Sequence, residues 1–269
     1  MQDPMLLDFE HDPASARRRY ALCRAAFLLG AVGLAQLGLS CMLEVLILFY
    51  RDPGLVRIAK SSWWHWGVGA PITWTTFVSA YLLWGRWRDP SWQRRAGLLL
   101  LLNTFDLVTW IIQNNRELGL RIGDVGHPWL RMFLTEGFGW TEFMLFGSLA
   151  AEVANRPGTD AAHLLRNGVF ALSTLGLVLC GATFLSATDW AHRWPLVPRR
   201  IDPGLFLLYY VTSQMMMAMT TVQLVALMGL GARQCARDIR SLKSDDSMPD
   251  LLVSRSETEW DNQGGRSWK

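Results

Sequence analysis

Six long stretches with almost no charged side chains constrain the fold of this chain most strongly. Apolar residues make up 51% of the sequence and charged ones 18%, and the charges cluster between the stretches. A helix needs about 20 mostly apolar residues to cross the hydrocarbon core, where no water satisfies exposed backbone groups. We therefore expect six membrane-spanning helices, at residues 25–50, 62–85, 96–115, 132–154, 167–188 and 204–231.

A large soluble helical protein is the alternative, but its helices would show polar faces repeating with the helical period. Segments such as 96–102 and 175–179 show no such face. The sequence thus predicts an all-α, polytopic membrane helix bundle over residues 20–240. A flexible N-terminal arm, residues 1–19, precedes the bundle. Residues 241–269 contain few large apolar side chains, a composition that predicts a disordered tail.

The distribution of Lys and Arg predicts the orientation of the bundle, because cytoplasmic loops retain basic residues. The N-terminal arm, the second and fourth loops and the tail together hold 17 of them, whereas the other three loops hold nine. Both termini are therefore expected in the cytoplasm. The membrane is expected to be a plasma membrane or a bacterial inner membrane.

The net charge of +3 reflects this topology, since the basic residues are spread over every loop. The sequence shows no basic patch for DNA or RNA, so we expect the lipid bilayer and no nucleic acid as a partner. The tail is a candidate docking site for a protein. The four cysteines form no CxxC pair and are expected to be small buried side chains: Cys23, Cys41, Cys180 and Cys235.

Two local patterns predict how the helices are shaped and packed. Pro71, with Gly67 and Gly69 before it, is expected to kink the second helix or delay its start. In the fifth span, small residues recur every three or four positions and form a stripe that we expect to face another helix. The stripe consists of Ser173, Gly176, Cys180, Thr183 and Ala187.

Four acidic residues fall well inside the predicted spans, whereas no Lys or Arg falls inside a span at all. They are Glu44, Asp106, Glu136 and Glu142. An ionisable group in hydrocarbon is costly, so it normally faces the bundle interior with a partner or a water-filled cavity. Asp106 and Glu142 are each about halfway along their spans, whereas Glu44 and Glu136 are expected at a shared level near the outer face.

Polar residues at helical spacing extend this set to Asn103, Gln113 and Gln223. One hypothesis is a polar pathway between helices one, three, four and six, open to the outer face, with Asp106 and Glu142 at its bottom. Two close carboxyl groups without a cation would hold a proton or bind a metal cation. The alternative is that these side chains are hydrogen-bonded links between helices.

Several cofactors and reactions lack the residues that they require. All five histidines fall in the arm, the loops or span ends, so a bis-His haem in the membrane core has no ligands. No lysine falls inside a span, so a retinal Schiff base has no residue on which to form. No nucleotide-binding or hydrolase motif occurs. We expect no cofactor, no metal and no catalytic residue, although His127 with Asp124 or Glu117 remains formally possible as a loop site.

Three classes of function remain open. The first is a structural, assembly or sensory membrane protein, which requires only a compact bundle and soluble ends. The second is a proton- or cation-coupled transporter or channel for small solutes that uses the buried carboxyl groups. The third is a lipid-modifying enzyme, which requires clustered polar groups near one interface, and no such cluster stands out in the sequence.

Overall fold

The computed structural model describes residues 13–50, 53–54, 57, 61, 64–84, 89–114, 128–155, 160–187 and 203–263. Within these residues the chain forms six α-helices and no strand, which confirms the predicted all-α fold and the number of helices. The helices are α1 (Pro13–Tyr50), α2 (Ala70–Leu83), α3 (Pro90–Asn114), α4 (Pro128–Ala154), α5 (Asp160–Ala187) and α6 (Pro203–Gln263).

Two helices extend well beyond the predicted spans. Helix α1 begins at Pro13, inside the segment expected to be a flexible arm. Helix α6 continues to Gln263, so the backbone of residues 241–263 is helical here, where composition predicted disorder. The disorder of the tail in solution stays a prediction.

Proline begins most of these helices. Pro13, Pro90, Pro128 and Pro203 are the first residues of α1, α3, α4 and α6. Proline suits the first helical position because its missing N–H would have no helical partner there. At α3, the carboxylate of Asp89 accepts a hydrogen bond from the Ser91 backbone N–H at 3.0 Å and another from the Ser91 hydroxyl. Both bonds lower the pKa of Asp89, and the bond from the Ser91 hydroxyl has the larger effect. The negative charge of the Asp89 carboxylate also interacts favourably with the N-terminus of α3.

The predicted irregularity before the second helix is present. A π-helical turn, His65–Gly69, precedes α2, and Pro71 lies in the first turn of that helix. Gly69 lies against the Trp110 indole of α3, where an added Cβ would be 3.2 Å from Nε1. The Trp110 ring also meets the ring of Trp66 edge-on, with centroids 5.0 Å apart.

The helices form a ring with one helix outside it. Helix α1 packs against α2, α2 against α3, α3 against α4, and α4 against α6, while α6 returns to α1. Helix α5 lies outside the ring, in contact with α4 and α6. Helices α4 and α6 therefore each contact three other helices, and the largest of these interfaces is that between α1 and α6.

The surface of the bundle is apolar along its helices. Leu39 of α1 and Val222 of α6 are 72% and 68% exposed, and Leu101 and Val178 project similarly from α3 and α5. A soluble protein rarely exposes apolar side chains along whole helices, whereas a lipid-facing surface requires them. Four helical segments are long and apolar enough to cross a membrane: Ala14–Tyr50, Pro90–Ile112, Asp160–Leu185 and Leu207–Leu242. Together these features support an integral membrane protein.

Glycines let α1 approach its two neighbours closely. A Cβ on Gly33 would lie 2.3 Å from the Thr75 hydroxyl of α2, and one on Gly38 would lie 2.4 Å from the Thr221 hydroxyl of α6. Between α1 and α2, the buried Ser79 hydroxyl donates a 2.8 Å hydrogen bond to the backbone carbonyl of Ala26. Small residues at helix contacts are typical of membrane proteins, where packing replaces the hydrophobic effect between helices.

The small-residue stripe of α5 faces neighbouring helices, as predicted: Gly176 meets α4 and Cys180 meets α6, whereas the side chain of Ala187 lies outside the described residues. Ser173, Gly176 and Cys180 are fully buried, and Thr183 is nearly so. The Trp140 indole of α4 lies flat against Gly176, so an added Cβ would be 2.3 Å from the ring carbon Cε2. Trp140 is itself fully buried and has no free space to retreat into.

The variant Gly176→Ala is expected to lower the free energy of unfolding by about 1 to 3 kcal/mol, because the methyl group overpacks the Trp140 contact. Thermal unfolding of the purified protein in detergent, followed by circular dichroism, measures this. Gly181→Ala is the matched control, since nothing lies within 4 Å of a Cβ there. The control should leave stability unchanged or raise it slightly. Equal melting temperatures for the two variants would contradict the close contact.

Candidate functional site

Two adjacent tyrosines of α6 bind two of the candidate acids. The Tyr209 hydroxyl donates a hydrogen bond to Oε2 of Glu136 in α4, and the Tyr210 hydroxyl donates one to Oε2 of Glu44 in α1. We call these four residues the tyrosine–glutamate cluster. Glu44 and Glu136 therefore lie at one level of the bundle.

Thiols lie beside the same hydroxyl groups. The Tyr209 hydroxyl is also in hydrogen-bonding contact with the Cys180 thiol of α5, and Cys41 lies near Glu44 and Tyr210. Both cysteines are buried, and neither is part of a disulfide in the described residues. The cluster thus joins polar side chains from α1, α4 and α6, the Cys180 thiol adds a contact from α5, and the bonds run between helices rather than along them.

Asp106 of α3 and Glu142 of α4 form a second polar feature, which we call the mid-bundle carboxyl pair. Glu142 is only 8% exposed, and Asp106 is half-buried and close enough to interact with it electrostatically. The rings of Phe105 and Phe138 meet edge-on in the same interface, with centroids 4.9 Å apart. No Lys or Arg near the pair balances its charge among the residues that the structure describes, and Oε1 of Glu142 has no hydrogen-bond partner there.

Two other buried polar atoms without partners belong to α6 and α1, at or near the depths between the tyrosine–glutamate cluster and the mid-bundle carboxyl pair. The Ser213 hydroxyl of α6 and Oε1 of Gln36 in α1 lack hydrogen-bond partners in the described part of the chain. Ser213 is one turn along α6 from Tyr209, a rise of about 6 Å, and Gln36 is two turns from Glu44, about 12 Å. Unpartnered buried atoms also occur elsewhere in the described residues, on Trp140, Ser173 and Gln223, so Ser213 and Gln36 do not by themselves mark a path for water.

Two of the remaining candidates, Asn103 and Gln223, do not join these features. Asn103 is 2% exposed and donates a 3.0 Å hydrogen bond to the Leu99 carbonyl of its own helix. Gln223 lies against Gly168 of α5, where an added Cβ would be 2.6 Å from Oε1 of Gln223. It therefore faces the helix outside the ring. The side chain of Gln113 is outside the described residues.

The opposite end of the bundle is rich in arginine. Arg95 of α3 forms an ion pair with Glu152 of α4 and donates a 2.6 Å hydrogen bond to the Ser148 hydroxyl. Arg17 donates to the Leu242 carbonyl at 3.1 Å, which ties the start of α1 to α6. The start of α3, the end of α4 and the start of α1 thus meet at one end, as alternating helix directions require.

Cavities in the described regions occur at this arginine-rich end. One has a volume of about 180 Å³ between α3, α4 and α5, and Arg95, Glu152, His163 and Arg166 line it. A larger groove of about 410 Å³ lies between α1 and α6. Neither is lined by the four candidate acids. Among the described residues, no three side chains of His, Cys, Asp or Glu cluster in a way that could hold a metal ion.

The sequence pattern missed the tyrosines. Tyr209 and Tyr210 are two of only five tyrosines in the chain, and they begin the last apolar stretch. Aromatic residues at that position are typical anchors at the membrane interface, which is why they attract no separate interpretation. Their hydroxyl groups were the available signal, because a buried carboxyl group needs a donor and no cation is present in the spans.

The variants Tyr209→Phe and Tyr210→Phe are expected to lower the free energy of unfolding by about 0.5 to 2 kcal/mol each, because each removes one bond between helices. Unfolding by a denaturing detergent, titrated into the folded protein, measures the loss. Tyr81→Phe is the control, since Tyr81 is exposed on α2. If all three variants match the unchanged protein, the hydroxyl–carboxyl bonds do not hold the bundle together.

Comparison with known proteins adds no family assignment to this geometry. No protein-family model, curated protein or solved structure matches the chain.

Proposed function

We propose that this protein crosses its membrane six times, in a plasma membrane or a bacterial inner membrane, with both termini in the cytoplasm. The excess of basic residues in the arm, the second and fourth loops and the tail supports this orientation. The hydrogen bond from Arg17 to the Leu242 carbonyl joins the two terminal segments at one end of the bundle and supports placing both on the same side. The four helical segments that are long and apolar enough to cross a membrane support its insertion.

Within that membrane we propose a structural, assembly or sensory role, in which a protein partner docks on the cytoplasmic extension of α6. The observation that carries this proposal is the length of α6. It contains 61 residues, which corresponds to about 90 Å, whereas the hydrocarbon core is about 30 Å thick. Its last residues, 241–263, are mostly polar, and α6 is 23 residues, or about 35 Å, longer than α1, the next longest of the described helices.

The bonds within the bundle support the same role. The tyrosine–glutamate cluster uses its carboxyl groups to connect α1 and α4 to α6. In the glycine contacts, backbones approach closely and leave little space between helices. Both features are those of a rigid membrane platform.

Removal of residues 241–269 is expected to abolish binding of the partner while the bundle stays folded. Proteins that copurify from native membranes in mild detergent would be compared for the full chain, a chain ending at residue 240, and a chain with residues 241–269 scrambled. A specific protein should be lost from both variants and displaced from the full chain by excess peptide 241–269, because the tail carries the docking sequence.

Two controls accompany that comparison. The shortened chain should still unfold in one cooperative transition, with a melting temperature only slightly below that of the full chain, because it loses the hydrogen bond from Arg17 to the Leu242 carbonyl. A membrane-impermeant maleimide should label Ser241→Cys only after the cells are permeabilised. The four native cysteines are buried and give little background. Identical sets of copurifying proteins for all three chains would refute docking on the tail.

The mid-bundle carboxyl pair favours a second candidate function, proton-coupled movement of a small solute. Glu142 is buried, one of its oxygens has no partner among the described residues, and Asp106 lies close by. Two carboxyl groups in a low-dielectric interior are stable when they share a proton, so the pair can take up a proton on one side and release it on the other. The unpartnered Ser213 and Gln36 side chains are available to bind water between this pair and the membrane surface.

If the protein moves a solute together with protons, Asp106→Asn is expected to abolish proton flux, because an amide cannot bind and release a proton as the carboxyl group does. Vesicles that contain the protein and the trapped pH dye pyranine would receive a potassium diffusion potential and pools of amino acids, sugars or nucleosides. Asp160→Asn is the control, since Asp160 is exposed at the start of α5. No flux above that of protein-free vesicles, or equal flux for both variants, would rule out this function.

A further inference from the structure

The groove between α1 and α6 at the arginine-rich end combines a basic rim with an apolar floor. Its volume is about 410 Å³, and its rim carries four arginines, Arg24 from α1 and Arg233, Arg237 and Arg240 from α6. The floor includes Leu28 of α1 and Gly229 of α6. Such a combination is suited to a ligand with one charged and one apolar part.

The four arginines are positioned to act together. Arg233, Arg237 and Arg240 are separated by four and three residues, so they share one face of α6, and Arg24 approaches from the facing helix. All four are exposed. In the described portion of the structure none of them has an ion pair or a hydrogen bond from its side chain. Four unneutralised guanidinium groups around one groove favour an anion, and phosphate oxygens match their paired N–H donors.

The order of basic and apolar residues along the helices identifies the kind of anion. Leu28 is one turn from Arg24 towards the middle of α1, and Gly229 is one turn from Arg233 towards the middle of α6. The basic part of the groove therefore lies at the end of the bundle, and the apolar part lies about 6 Å deeper in the membrane. A phospholipid has the same polarity, with its phosphate at the surface and its acyl chains directed inwards.

We propose that this groove is a binding site for one anionic phospholipid of the cytoplasmic leaflet. The phosphate lies among Arg24, Arg233 and Arg237, and an acyl chain follows the groove past Leu28 and Gly229. Basic pockets between membrane helices on the cytoplasmic side are a recognised way to hold such headgroups. The proposal rests on the cytoplasmic location of both termini and is independent of whether the protein docks a partner or moves a solute.

The test measures binding of short-chain phosphatidylglycerol to the full-length protein in detergent, from the rise in melting temperature with lipid concentration. Phosphatidylcholine of the same chain length should give no comparable rise, because it carries no net charge. Arg233→Gln with Arg237→Gln should weaken the apparent affinity for phosphatidylglycerol about tenfold or more, since two charge-assisted contacts are lost.

Arg18→Gln with Arg94→Gln is the matched control. It removes the same charge from exposed positions at the same end of the bundle but outside the groove. The control should bind phosphatidylglycerol like the unchanged protein. Both double variants should keep the melting temperature of the lipid-free protein, because all four positions are exposed. Equal weakening in the two double variants, or none in either, would overturn the site.

Two further arms test other occupants. Glycerol phosphate has the charged group without the acyl chains, and equally tight binding of this compound would assign the groove to a soluble phosphate instead. Residues 1–12 carry four acidic side chains close to α1 in sequence. If phosphatidylglycerol binds only after these residues are deleted, the natural occupant is the acidic segment of the chain itself, and the lipid site is overturned.

Discussion

The packing of α1 against α6 is the contact on which the rest of the bundle depends. Lipid and apolar side chains resemble each other, so the hydrophobic effect does little to hold two helices together within a bilayer. Close approach of backbones takes its place, and Gly38 of α1 permits it by leaving room for Thr221 of α6. This interface carries the Tyr210–Glu44 bond near one end and the arginine groove near the other. The same glycine-dependent approach therefore sets the geometry of both polar features.

The acidic side chains of the bundle occur in three kinds of environment. Arg95 and Glu152 neutralise each other near the surface, where both side chains remain partly exposed. Glu44 and Glu136 receive hydrogen bonds from neutral tyrosines. Asp106 and Glu142 lie close enough to interact electrostatically, with no cation beside them in the described residues. The first two arrangements stabilise helix contacts, whereas the third leaves two like groups together in a medium that penalises their charges. That contrast singles out the mid-bundle carboxyl pair from the other acids.

The existence and order of the helices could be predicted because bilayer thickness sets how long an apolar stretch must be. The stripe on α5 could also be predicted, since helical spacing shows which side chains share a face. Spacing does not show which neighbour that face meets. Gln223 was therefore grouped with Asp106, although it packs against Gly168 of α5. Likewise, the bonds of Tyr209 and Tyr210 join positions far apart in sequence, and no local pattern encodes such a partner.

The two adjacent tyrosines have a mechanical consequence for α6. Successive residues on an α-helix point about 100° apart, so Tyr209 and Tyr210 reach towards α4 and α1 at a fixed angle to each other. Turning α6 about its axis, or sliding it by one residue, would break both bonds at once. The two bonds together therefore fix both the rotation of α6 about its axis and its position along that axis. Because the helix is continuous from Pro203 to Gln263, these two bonds also determine the direction in which Arg233 and Arg237 project, about 36 and 42 Å along the helix from Tyr209.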